Sequence, residues 1–217
     1  MISKHPQSRL ADAIQRYRVA SFRFLATEFP GLQLNESSLS MQLGNSFRSF
    51  EALGQLLVTD NRYKLGDIKS IVRSVAAQEF FCSDENYSML TKDDVAKFFP
   101  SLFRNGLPRG YFVDSRDSVP KLGLLRIDCN WIDVYRIYQK TRQQIQKHQK
   151  YRDFARLISE NQFEITWLVP TQSKSNAVRL LDRQKNISCN MEALRSQTLF
   201  DAAFNNLASI ASPMSRV

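Results

Sequence analysis

The densest chemistry in this 217-residue sequence lies between residues 134 and 156. Arg136, Lys140, Arg142, Lys147, Lys150, Arg152 and Arg156 meet a single acid there, Asp153, and Tyr135, Tyr138 and Tyr151 are interleaved with them. Cations at this density, laid along a phosphate backbone, release counterions at each contact and give salt-sensitive, sequence-tolerant binding. The competing reading is a solvated helix face. The excess of one sign, with almost no acid at i,i+4, favours the nucleic-acid surface. The whole chain agrees, because 30 Lys and Arg against 21 Asp and Glu give a formal charge of +9 and a pI of about 9.6. That balance suits double-stranded DNA as partner. A second anion site is readable at Pro170–Ser175, where Lys174 stands at a helix start whose free N–H groups attract phosphate. The stretch lacks the glycines of a phosphate-cradling loop, so helix capping by Ser173 or Ser175 is the simpler role.

Other chemistries find little footing. Asp114, Asp117 and Asp128 are the acids from which a Mg²⁺-holding carboxylate pair would come. Cys82, Cys129 and Cys189 form no CxxC pair, and with only His5 and His148 beside them no zinc site is expected. They read as free thiols of a cytoplasmic protein. His148, inside the basic stretch, is expected to face solvent. No GxSxG or HExxH motif occurs. No run approaches the ~18 apolar residues of a membrane span, and Lys4, His5, Gln7 and Arg9 interrupt any signal core, so no membrane partner is expected.

The elements that must position these residues follow from periodicity. Only 7 glycines in 217 residues argue for long helices over a turn-dense all-β fold. The pattern predicts a helix over Ser8–Glu28, with Arg9, Arg16 and Arg23 on its outer face and Pro30 beyond its end. A polar connector (Gly31–Asn45) leads to a second helix over Phe47–Thr59. A third helix starts at the N-cap Asp67 with the stripe Ile68, Ile71, Val72 and Val75, and a short fourth one is capped by Thr91, with Asp94 at capping-box spacing. Short helices with tight turns suit a winged-helix or helix-turn-helix module, and any small helical bundle fits the same pattern. From Asn105 the texture changes. Strands are predicted over Gly110–Val113 and Leu122–Cys129 around the turn Asp114–Lys121, then a long helix from Asp133 to Glu160. A strand (Phe163–Pro170), a helix (Ser173–Gln184) and a final helix (Glu192–Ala211) complete the chain. The expected class is α+β or α/β, with a helical N-terminal module over 1–104 and a mixed-sheet domain over 105–217.

Four stretches carry a family resemblance: Pro108-Arg109-Gly110-Tyr111-Phe112, Leu124-Leu125-Arg126-Ile127-Asp128, Lys147–Tyr151 and Phe163–Ser173. Their order resembles the replication-relaxation family, which includes MobC-type plasmid relaxases and is related to the PD-(D/E)XK restriction-endonuclease fold. The resemblance implies a nuclease-like mixed sheet and a role in plasmid mobilisation, conjugation, replication or transposition. It also exposes a departure. The family's first acid falls on Arg109 and its second on Arg126, leaving Asp128 alone in the third position. Arg126 and Asp128 share a strand face, so Arg126 is expected to neutralise Asp128 in place of a metal. The resemblance thus implies a DNA-binding protein with a catalytically degenerate nuclease-like domain, no cofactor, and Arg109 and Arg126 as DNA contacts, to which the basic stretch adds Arg136, Lys140, Arg142, Lys147, Lys150 and Arg152 and the helix start Lys174. Two alternatives stand beside it. One is an active Mg²⁺-dependent nicking relaxase or nuclease using Asp114 or Asp117 with Asp128. The other is a protein–protein adaptor in a nucleoprotein complex, docking through Leu199, Phe200, Phe204, Leu207 and Ile210; that stripe otherwise reads as core.

Overall fold

A computed structural model describes residues 6–31, 43–64, 67–98, 110–129, 133–184 and 187–204. Helix α1 (Pro6–Tyr17) buries Leu10, Ile14 and Tyr17 and stops at Arg18, which takes a left-handed φ of 67°. The single helix expected over Ser8–Glu28 is therefore broken. Strand β1 (Val19–Ser21) intervenes, and α2 (Phe22–Glu28) restarts with the Ser21 hydroxyl accepting from Phe24 N at 3.1 Å. Tertiary hydrogen bonds override local helix propensity here. Thr59 Oγ1 donates to the Arg18 carbonyl at 2.6 Å, while the buried Gln78 amide donates to Val19 O at 2.5 Å and accepts from Ser21 N at 2.8 Å.

The helix expected over Phe47–Thr59 is instead a hairpin of β2 (Phe47–Ala52) and β3 (Gln55–Asp60). Leu53 and Gly54 both have positive φ (57° and 67°), as the tight turn between twisted antiparallel strands requires. Leucine is a poor residue for that conformation, and Leu53 is held there by packing against the core. With β1 the hairpin forms a three-stranded antiparallel sheet in the order β1-β3-β2, so the N-terminal part is not purely helical.

Helix α3 (Ile68–Ser83) opens on the expected cap, Asp67 accepting from Ser70 N at 3.0 Å. It serves two cores. Ile71 and Val75 pack with Val19, Ala52 and Leu57 of the small sheet, while Val72, Ala76 and Phe80 join Phe112 and Leu125 of the larger sheet. Strand β4 (Tyr87–Met89) precedes α4 (Lys92–Phe98), where Thr91 and Asp94 form the expected reciprocal capping box.

The larger sheet joins β4, β5 (Tyr111–Asp114), β6 (Lys121–Ile127), β7 (Phe163–Val169) and β8 (Asn190–Arg195) in sequence order. The first three strands are antiparallel; β6, β7 and β8 are parallel. The protein is thus a mixed α+β fold. The boundary expected near 104 lies outside the described residues, and β4, on its N-terminal side, is an edge strand of this sheet.

The long helix expected over Asp133–Glu160 is two, α5 (Val134–His148) and α6 (Arg152–Ser159), separated at Gln149–Tyr151. Helix α7 (Gln172–Arg183) follows β7. The final helix expected over Glu192–Ala211 is β8 followed by α8 (Gln197–Phe204); Leu207 and Ile210 lie outside the described residues. Helices α5, α6 and α7 cover one face of the large sheet, and α3 and α8 the other. The alternation read in β7 holds, with Phe163, Ile165, Trp167 and Val169 under α5–α7 and Leu168 facing α3 and α8. Both faces are covered, as for a parallel strand of an α/β unit.

One contact sets the spacing between β5 and β6. Phe112 lies opposite Gly123, and a Cβ on Gly123 would stand 2.1 Å from the Phe112 ring. That ring is fixed by edge contacts with Phe80, Phe81 and Tyr87. Gly123→Ala should destabilise the fold by about 1–3 kcal/mol in urea denaturation, and Phe112→Leu in the same chain should recover part of the loss. Equal stability of Gly123→Ala and wild type would show that the ring has room to move.

Candidate nucleic-acid interface

Helix α5 turns Val134, Tyr138, Thr141, Ile145 and His148 inward. Arg136, Lys140 and Lys147, at spacings of four and seven, therefore form one exposed line, continued past the break by exposed Lys150 and Arg152. None of these five side chains has an ion pair among the described residues. Arg156 turns out to pair with Glu160, at 3.9 Å. Arg142 departs from the line, for it is half-buried and its Nε has no acceptor among the described residues. Of the interleaved tyrosines only Tyr135 is exposed; Tyr138 is buried and Tyr151 half-buried.

Beneath α5, at the carboxyl end of β6, lies a second basic position. Arg126 points from the sheet to α5 and donates through Nη2 to Gln144 Oε1. Gln144 Nε2 donates to Tyr111 Oη at 3.3 Å, and that hydroxyl stands 3.2 Å from His148 Nδ1. His148 is therefore not solvent-facing as expected; it is buried and neutral, its pKa lowered by burial and then by the Lys147 and Arg126 charges. Burial also lowers the pKa of Arg126.

Arg126 does not neutralise Asp128. That carboxylate is buried and pairs with Lys174 at 2.6 Å. Lys174 sits in the first turn of α7, so the lysine expected to meet phosphate is engaged inside the fold. The cap of α7 is Thr171, which accepts from Lys174 N at 3.3 Å, and not Ser173 or Ser175. Arg109 lies outside the described residues.

The acids proposed for Mg²⁺ are not brought together. Asp114 lies at the far end of β5, opposite Lys121, so Asp128 stands seven residues along β6 from that point, roughly 23 Å at about 3.3 Å per residue. Asp117 is exposed and pairs with Lys121 at 2.5 Å. Among the described residues no group of three His, Cys, Asp or Glu is placed to hold a metal. No described helix is long and apolar enough to cross a membrane.

Asp114 instead belongs to a cluster that periodicity did not reveal. Arg116 clasps it through Nε at 3.0 Å and Nη2 at 2.6 Å, and lies 4.8 Å over the Tyr87 ring. Glu164, on β7, places Oε1 3.9 Å from the same guanidinium. Burial would raise the Asp114 carboxyl, but the Arg116 hydrogen bonds hold it below its ordinary value. Glu164 goes the other way, pushed up to about 7 by burial and by the Asp114 charge. The signal that marks Glu164 in the sequence is a lone acid in the otherwise uncharged strand Phe163–Val169.

No protein-family model matches the chain, and neither a curated protein nor a solved structure shows significant similarity to it.

The Glu164 shift makes a pH prediction with a definite sign. Between its ordinary 4.5 and about 7 the folded chain holds a proton that the unfolded chain releases. Stability from this group is present below the lower value, falls as pH rises through the window, and levels off above it. Glu164→Gln should match wild type near pH 5 and exceed it at pH 8, by on the order of 1–3 kcal/mol in urea titrations. A variant no more stable than wild type at pH 8 would refute the assignment.

Proposed function

We propose that this protein binds duplex DNA in a sequence-tolerant manner through the exposed face of α5 and the start of α6. The observation that carries the reading is the line Arg136, Lys140, Lys147, Lys150 and Arg152, exposed and without ion pairs among the described residues. Fixed cations along a rigid helix meet a phosphate backbone without first being desolvated from acidic partners.

The N-terminal part fits the same reading. Helix, short strand, helix and then a tight hairpin laid beside the first strand, in the order β1-β3-β2, supports the reading of a winged-helix module. The larger sheet supports a nuclease-like domain, since an antiparallel hairpin followed by a helix and a parallel strand is the order the replication-relaxation resemblance implies. In this proposal the domain is catalytically degenerate, with Arg126 where that family carries an acid, and with Asp114 on β5 beside the start of β6 and Asp128 just past its other end. The setting is a DNA-processing complex of a mobile genetic element, in plasmid mobilisation, conjugation, replication or transposition, with further proteins of that complex as partners.

Charge reversal at Arg136, Lys140 and Lys147 together should weaken duplex binding in fluorescence anisotropy. It should also flatten the log K against log salt slope by roughly 2–3 units, close to 0.9 per lost phosphate contact. A slope that stays the same would move the contact off α5.

A further inference from the structure

Among the described residues Arg126 is a cation without an anion. Its Nε is closed off from water and has no acceptor among the described residues, and its Nη2 is met by a neutral carbonyl oxygen, that of Gln144. The Gln144 amide cannot turn away freely, because its nitrogen is engaged by Tyr111 and Tyr111 by His148. The nearest acid along its strand face, Asp128, is paired with Lys174. Of the chain's 21 acids, 20 are described and none pairs with Arg126; the other is Glu36. The undescribed stretches 99–109 and 130–132 hold no Asp or Glu in the sequence. A largely buried guanidinium held only by dipoles is costly unless an anion completes it. Guanidinium geometry matches the paired oxygens of phosphate.

We infer that Arg126, oriented by the Gln144–Tyr111–His148 chain, forms a binding site for a phosphate group with at most one ester bond, either free inorganic phosphate or the terminal phosphate of a DNA strand. The site lies beneath α5, whereas the basic line lies on that helix's outer face. An internal phosphodiester carries a sugar on both sides and cannot sink below the surface without bringing the duplex against α5. A terminal phosphate, with one free side and two negative charges near neutral pH, can. The inference deepens the DNA reading only for the strand-end source; free phosphate would occupy the site whether or not the protein binds DNA.

The test is titration calorimetry of the full chain with inorganic phosphate, at ionic strength held constant with chloride. Three proteins are compared: wild type, Arg126→Gln and Gln144→Glu. The second substitution keeps Arg126 and sets a carboxylate against it. Wild type should bind phosphate, and both variants should bind at least tenfold more weakly. Gln144→Glu should melt at or above the wild-type temperature, which a folding defect would not produce. Unchanged affinity in the two variants overturns the inference, as does a wild type that binds neither phosphate nor a 5′-phosphorylated duplex. With phosphate binding established, a 5′-phosphorylated duplex bound at least tenfold more tightly than its 5′-hydroxyl counterpart identifies a strand end. Equal affinities identify free phosphate. Loss of duplex binding in the α5 charge-reversal variant, with phosphate affinity retained, separates the two surfaces; phosphate binding by a wild type that ignores DNA retires the DNA reading alone.

Discussion

The side-chain amide of Gln78 ties the small sheet to the helix that also packs on the large one. Strand β1 is hydrogen-bonded to β3 on one edge only, and its other edge is buried. The Gln78 amide fills that edge, donating to Val19 O and accepting from Ser21 N. A buried backbone donor or acceptor left unpaired costs about 1–3 kcal/mol, so this one side chain holds several kcal/mol of otherwise unpaired polar surface. Because α3 also buries Val72, Ala76 and Phe80 against the large sheet, the bond fixes the N-terminal module relative to the rest of the fold. It also fixes a functional geometry. The N-terminal module packs with α3 on one face of the large sheet, and the basic line of α5 lies on the other. In the proposed reading, DNA that met a winged-helix surface as well as α5 would therefore be bent or held as two separate segments.

The sequence displayed those features that depend on local pattern. The Asp67 cap, the Thr91–Asp94 box, the hairpin of β5 and β6, and the alternation of β7 were legible because each is decided within a few residues. The misreadings share a physical cause. At Arg18 and at Leu53 the chain takes positive φ on residues that do not advertise it, so the break in the first helix carries no Gly or Asn, and the turn of the small hairpin carries a Gly at its second position alone, Gly54. What holds both is tertiary: Thr59 and Gln78 around Arg18 and β1, and core packing around Leu53. Of the basic residues, the exposed line of α5 was readable from composition and spacing. The partners of Arg126, Asp128 and His148 were not, because Gln144, Lys174 and Tyr111 lie 18, 46 and 37 residues away in the chain.

The two ends of β6 handle buried charge in opposite ways, and the contrast separates structure from function. At the hairpin end, Arg116 is clasped by Asp114 and approached by Glu164, and the surplus acid is accommodated by holding a proton up to about pH 7. That cluster is complete in itself. At the carboxyl end, Asp128 is likewise complete with Lys174, whereas Arg126 is supported by a neutral amide, a neutral phenol and a neutral imidazole. Guanidinium cannot solve its problem as Glu164 does, since it does not shed its proton under ordinary conditions. In the proposed site the balancing charge comes from a bound anion, and the sequence at 99–109 and 130–132 holds arginines and no acids. A divalent cation at this position would add repulsion to the burial cost, and an anion removes both. The position that the family resemblance assigns to a metal-holding acid thus has its electrostatics reversed, and the ligand proposed for it reverses with it.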